Sequence, residues 1–276
     1  MNIIKSIVFG IIEGITEWLP ISSTGHLIIF NQIMPLDVSP EFYKLYEVVI
    51  QMGAGFAALL VFFKKVWPFG ESKNPLGKGI LKYMKKDKFI LWLKIAVSCI
   101  PAIIAGLTID DWINEHLYNT TVVSLALIVV GIAFIIVEIV HKNKNSKINS
   151  ITEIGFDTAF YIGLFQVLAA IFPGTSRSGA TIIGALILGV SRIAASEYTF
   201  YLAIPVMIGA SLLNVFKIGL AFSLSEYLVL IVGTVVAFVV SLYTIRLLIN
   251  YVRKNKFTIF GIYRIILGII VLLFVK

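Results

Sequence analysis

The run "TVVSLALIVVGIAFIIVEIV", residues 121–140, carries a single charge, near its end. As a helix rising about 1.5 Å per residue it covers the hydrocarbon thickness of a bilayer. Lipid offers backbone groups no partner, so such a run is a helix or a strand of a closed barrel, and the period-two alternation of a barrel strand is missing. Comparable runs recur at residues 42–63, 89–107, 197–216, 226–250 and 257–275. The chain has 276 residues, 59% of them hydrophobic, and its mean hydropathy is +0.96. It reads as an all-α integral membrane protein with about six full transmembrane helices.

The charge pattern sets an orientation. Lysine and arginine number 23 against 15 acids, a net charge of +8. In a soluble protein that excess would invite nucleic acid. Here the lysines concentrate in loops 64–88, 141–147 and 253–256, which therefore face the cytoplasm, and no nucleic-acid partner is implied. Asp110, Asp111 and Glu115 mark an outer loop. Cys99, the only cysteine, lies in an apolar run and offers neither a disulfide nor a metal cluster. The N-terminal stretch lacks a small-residue cleavage site and carries Glu13 and Glu17 where a signal peptide would be apolar, so it is expected to be retained.

Residues 1–34 and 154–190 are apolar runs broken near the middle by proline, glycine and hydroxyls. Each is expected to enter the membrane, break and return as a re-entrant hairpin, which is allowed at membrane depth where protein or a wet cavity surrounds the break. Each half then holds three full spans. That odd number inverts the second half, so a single membrane domain is expected to contain one repeat over 1–140 and an inverted copy over 154–276. Aligning Pro20 with Pro173 places Gly10 on Gly163, Glu13 on Gln166 and Ser23 on Ser176, and a slightly different offset places Glu47 on Glu197. Two breaks entering from opposite faces would meet near the midplane.

The breaks carry the chemistry. Glu13 and Glu17, four apart, share a helix face. An ionised carboxylate at the bilayer centre costs roughly 2.5–3.5 kcal/mol on insertion scales, so a compensating cation is expected: a divalent metal, Arg177 or His26. After Pro20 come Ser22, Ser23, Thr24, Gly25 and His26; after Pro173 come Gly174, Thr175, Ser176, Arg177, Ser178, Gly179 and, two residues on, Thr181. A glycine-flanked hydroxyl loop opening a helix presents free N–H groups that suit a phosphate, although each hydroxyl taken singly is better explained by packing or capping. Arg177 adds a forked donor for phosphate oxygens. Neither loop is a Walker P-loop. Together the set resembles a phosphoryl-transfer site: Ser23, His26 or a metal-bound water as the attacking group, His26 also as a proton carrier, Glu13 and Glu17 as ligands of Mg²⁺ or Ca²⁺, and Arg177 stabilising the transferred group. His116 and His141 fall in loops and read as solvated.

"EGITEWLPISSTGH" and "PGTSRSGAT" closely resemble the two signature motifs of the bacterial undecaprenyl pyrophosphate phosphatases, the family linked to bacitracin resistance, and the likeness in length and hydropathy runs over the whole chain. The resemblance implies removal of the terminal phosphate of undecaprenyl pyrophosphate to regenerate the lipid carrier for peptidoglycan synthesis. It implies a multi-pass protein of the bacterial plasma membrane, a site reached from the outer face, a divalent cation, and frequent homodimers. By motif position its functional residues fall on Glu13, Glu17, Ser23, His26 and Arg177. A polyprenyl pyrophosphate needs both lipid and a polar cleft, which an intramembrane site supplies. The competing expectation is an inverted-repeat transporter or flippase for a lipid phosphate or anion; it leaves the gathering of Ser23, His26, the acids and Arg177 without a reason.

Overall fold

The computed structural model describes residues 1–71, 75–141 and 145–274. Lys73, Lys142, Lys144 and Val275, on which parts of the charge pattern and the last span rest, lie outside the described residues, as do the side chains of Asp110 and Asp111. The described chain is helical, without strands: α1 Asn2–Thr16, α2 Ser23–Ile33, α3 Pro40–Val61, α4 Phe63–Val66, α5 Lys86–His116, α6 Thr120–Val140, α7 Phe156–Ile171, α8 Arg177–Ile187, α9 Arg192–Ile218, α10 Leu224–Val252 and α11 Thr258–Phe274. Five of these, α3, α5, α6, α9 and α10, are long and apolar enough to cross a membrane. α11, at 17 residues, spans about 26 Å at the standard rise. This is the all-α membrane architecture expected from the hydropathy.

Local signals set the helix starts. Ser39 accepts from the Phe42 N–H ahead of Pro40, Asn119 from Val122, and Ser223 forms a reciprocal capping box with Glu226, each satisfying first-turn donors. α5 and α9 run longer than the apolar pattern alone suggests and contain Pro101 and Pro205, tolerated because neighbouring helices hold the backbone there. Glycines let backbones close in at the helix contacts. A Cβ on Gly10 would fall 2.6 Å from the Gly233 carbonyl oxygen, one on Gly163 2.4 Å from that of Ser98, and one on Gly131 2.7 Å from that of Gly261. These contacts join α1 to α10, α7 to α5 and α6 to α11.

The two short helix pairs, α1–α2 and α7–α8, are the hairpins. Asn2 Nδ2 donates to the Asp37 carbonyl at 2.8 Å and Lys5 to that of Pro35, so α1 begins where α2 ends, beside the start of α3. The segment before α7 meets the end of α8 through Lys147 N–H to Gly189 O at 2.9 Å and a bridge between Ile148 and Val190. That places the second mouth beside the start of α9. α3 and α9 pack together, and Lys65 Nζ of α4, the short helix just past the end of α3, reaches Glu197 Oε1 at the start of α9, 2.8 Å away. The helices are therefore antiparallel, and the hairpins open at opposite ends of the bundle.

At the lysine-bearing end, Glu138 accepts from both arms of Arg192 and, at 2.9 Å, from the Phe257 backbone N–H, tying α6, α9 and the entry to α11. The Glu138 side chain is 2% exposed, so its loss leaves Arg192 without its counter-charge. Glu138→Ala is expected to cost about 3 kcal/mol, read as a lowered melting temperature in detergent, while the folded fraction keeps the wild-type KM.

Candidate active site

The tips of the hairpins meet at one carboxylate. Glu17 caps the end of α1, and its Oε2 accepts from Ser23 Oγ at 2.5 Å while Oε1 accepts from Arg177 at 3.0 Å. Arg177 is further fixed by donating to the Thr199 carbonyl of α9 at 3.0 Å. Ser23 and Arg177 are the first residues of α2 and α8, so the first turns of both helices converge on Glu17. Ser23, Glu17 and His26 are all buried; the Arg177 side chain is 13% exposed. Serine beside a carboxylate is a nucleophile beside a base, and the guanidinium stands next to both.

The loops are bent to achieve this. Ser22 and Ser176 are the only non-glycine residues with positive φ among the described residues, at 76° and 69°. That conformation is strained for an L-residue and collects at functional sites. Each serine caps the helix that follows, accepting from Gly25 N–H at 3.2 Å and Gly179 N–H at 3.1 Å. The structural register thus pairs Ser22 with Ser176, and Ser23 with Arg177, one residue from the register that aligning the prolines suggests. Gly174 is the extra residue of the second loop. Its φ is 92° and a Cβ there would lie 2.6 Å from the Val123 carbonyl oxygen. Gly174→Ala is expected to combine strain with a clash and to lower stability by at least about 2 kcal/mol, measured by thermal unfolding in detergent.

The other candidate residues divide by what they touch. Ser178 Oγ donates to the Glu17 carbonyl and pairs with Ser176 Oγ. Thr181 Oγ bonds to the Arg177 carbonyl and to Thr199. Thr175 is buried, and its carbonyl and that of Gly174 are taken by another side chain. Thr24 and Gly25 lie in the first turn of α2. His26 Nδ1 lies 2.6 Å from the Ser22 carbonyl and Nε2 lies 2.7 Å from the Tyr263 hydroxyl. A carbonyl only accepts, so the network assigns the proton to Nδ1 and makes Nε2 the acceptor of a neutral ring. Ser23 is therefore paired with Glu17 and not with His26. His116, expected in a loop, is instead the last residue of α5, and His141 follows the end of α6; each bonds to a carbonyl one turn back, Trp112 and Val137.

Glu13 stands one turn before Glu17, wholly buried, and neither carboxylate oxygen has a hydrogen-bond partner among the described residues; the same holds for the buried Gln166 amide at its aligned position. A buried carboxylate calls for a cation or ordered water. No third His, Cys, Asp or Glu joins the pair among the described residues. Glu13 and Glu17 thus offer hard oxygen ligands of the kind that hold a cation sharing its remaining positions with water or phosphate oxygens.

Two residues of α11 lie against the site and belong to neither motif. Tyr263 is the partner of His26. Arg264, with no exposed surface, donates to Pro20 O at 3.1 Å, Gly174 O at 2.8 Å, Thr175 O at 2.9 Å and Leu127 O at 3.4 Å. One guanidinium thus grips both hairpin breaks and α6. The signal was in the sequence: a lone arginine in an otherwise apolar span is as costly as Glu13 or Glu17 and calls for the same explanation.

The sequence profile of the bacitracin resistance protein BacA family matches residues 6–270. The chain belongs to that family. It is 51% identical to "Undecaprenyl-diphosphatase 1" of Clostridium acetobutylicum over 274 residues, covering 99% of this chain and 97% of the relative. It is 50% identical to the undecaprenyl-diphosphatase of Desulfitobacterium hafniense, covering 99% and 96%. Identity to that of Enterococcus faecalis is also 50%, covering 98% and 96%. This family likeness agrees with the motif resemblance and spans the helices that build the site.

Proposed function

We propose that this BacA-family membrane enzyme hydrolyses undecaprenyl pyrophosphate to undecaprenyl phosphate and inorganic phosphate, returning the carrier to peptidoglycan synthesis in the bacterial plasma membrane. The observation that carries the reading is the meeting of Ser23 and Arg177 on the two oxygens of Glu17. Glu17 takes the Ser23 proton as Oγ attacks the terminal phosphorus. The phosphoanhydride P–O bond breaks, and undecaprenyl phosphate leaves with that proton. Arg177 turns from Glu17 toward the transferred phosphoryl oxygens. Water then attacks the phosphoserine, Glu17 accepts its proton and returns it to Ser23 Oγ as the P–Oγ bond breaks, and phosphate departs. A divalent cation, Mg²⁺ or Ca²⁺, held by Glu13 with Glu17, would neutralise pyrophosphate oxygens.

The halves 1–140 and 154–276 act in this reading as inverted repeats, with access from the outer face. Supporting it are the opposite mouths of the hairpins, the matching serine caps at Ser22 and Ser176, and the matching close approaches at Gly10 and Gly163. A carrier built from the same hairpins would give the Ser23–Glu17 contact no task. Purified protein in detergent, given undecaprenyl pyrophosphate with Mg²⁺ or Ca²⁺, is expected to release phosphate and to stop on chelation. Intact substrate under every cation condition, with movement across sealed vesicles instead, would establish the carrier.

A further inference from the structure

The lipid-facing strip of α1 is Ile4, Ile7, Ile11 and Ile15, all exposed, spaced by three and four so that they share one face. On α11, Ile259, Ile262, Tyr263 and Ile266 are likewise exposed. α1 packs on α10 and α11 on α6, and between α1 and α11 runs a groove of about 390 Å³. Ile12, Ile15, Leu19 and Phe260 form its apolar walls, and the rings of His26 and Tyr263 line it too. The groove is therefore continuous from the lipid-facing surface to a residue one turn beyond Ser23.

At that point the polar chemistry is closed. The tyrosine hydroxyl sits 2.7 Å from His26 Nε2, and the two rings are parallel to within 2°. Nδ1 is engaged with the Ser22 carbonyl, so Nε2 is the imidazole's one lone pair, and Tyr263 occupies it. While that bond stands, His26 accepts no proton from substrate or water. The Tyr263 side of the pair is the accessible one: it is 42% exposed, against 6% for His26, and it borders the groove.

We propose that Tyr263 is a positioning residue that couples His26 to the lipid tail. The first isoprene units of the substrate lie in the groove between α1 and α11 and displace the tyrosine ring, which frees the Nε2 lone pair to accept a hydrogen bond from a protonated oxygen of the terminal phosphate and so hold that phosphate against Ser23, while Glu17 remains the base. An apolar chain fits the walls, and its attached pyrophosphate falls at the hairpin tips. A pyrophosphate ester too short to fill the groove reaches the tips and leaves the Tyr263–His26 bond in place. The tail is thus read as a requirement for turnover as well as for binding. This inference rests on the phosphatase reading above.

The test compares phosphate release from undecaprenyl pyrophosphate and from dimethylallyl pyrophosphate by wild type and Tyr263→Phe. Wild type is expected to favour the long substrate in kcat by at least about tenfold. Tyr263→Phe keeps the ring and loses the hydroxyl. It is expected to raise kcat on the short substrate at least about fivefold and to hold kcat on the long one within about twofold. An unchanged kcat ratio, or an equal fall on both substrates, would overturn the inference and leave the phosphatase reading standing. No release from either substrate by folded wild type would remove both. Ile259→Trp narrows the groove from α11, outside both hairpins, and it is expected to raise KM for undecaprenyl pyrophosphate at least about tenfold with KM for the short ester unaltered; unchanged KM for both would show that the tail lies elsewhere.

Discussion

Glu17→Gln protein is expected to fold and to turn over at least about 10³-fold more slowly than wild type. One carboxylate there serves two partners at once: it accepts from Ser23 at 2.5 Å and from Arg177 at 3.0 Å. An amide keeps the size, loses the charge and turns an N–H₂ donor toward one of two donors. It can neither take the serine proton nor hold the guanidinium, and the loss falls on kcat more than on KM. Because Glu17 and Ser23 act as one unit, Glu17→Gln combined with Ser23→Ala should be little slower than either alone. Steady-state rates in detergent, with melting temperatures alongside, check both statements. Multiplying effects in the double variant would mean that the two residues act independently.

Arg264→Ala is expected to lose about 100-fold or more in kcat and at least about 3 kcal/mol of stability. Its guanidinium satisfies carbonyls from both hairpin breaks, Pro20 and Gly174 with Thr175, and one from α6, Leu127. Without it those buried acceptors are orphaned and the tips lose their common anchor, so Ser23 and Arg177 no longer reach Glu17 together. Lysine restores the charge as a point donor without the planar fork, so Arg264→Lys should fall between wild type and alanine. Millimolar guanidinium added to the alanine variant is expected to recover part of the rate. Recovery of stability without any recovery of rate would assign Arg264 to packing alone.

The spans were legible because lipid demands continuous apolar runs, and the two breaks because proline, glycine and hydroxyls interrupt such runs for cause. Glu17, Ser23 and Arg177 stood out for the same reason: polar groups at membrane depth are expensive. The pairing of these groups was not legible. Ser23 lies six residues from Glu17 and three from His26 in sequence, and sequence spacing favours the histidine; the positive φ at Ser22 turns the serine back toward the carboxylate instead. The register of the second loop shifted by one because Gly174 absorbs a residue in a left-handed turn that a glycine adopts freely. Arg264 and Tyr263 were overlooked because their partners lie more than 80 residues away at the nearest, |i−j| being 89 for Thr175 and 237 for His26. Sequence carries such a contact only as an unexplained cost.

The most direct test of the Ser23–Glu17–Arg177 centre is to quench the reaction within its first turnover, in parallel in acid, which preserves phosphoserine, and in alkali, which preserves phosphohistidine, using undecaprenyl pyrophosphate labelled in its terminal phosphate, and to locate the label on the protein. The expected result is label on the peptide bearing Ser23, reduced to background in Ser23→Ala and in Glu17→Gln. Label on His26, or oxygen from solvent water entering phosphate during turnover by an active Ser23→Ala protein, would contradict the account.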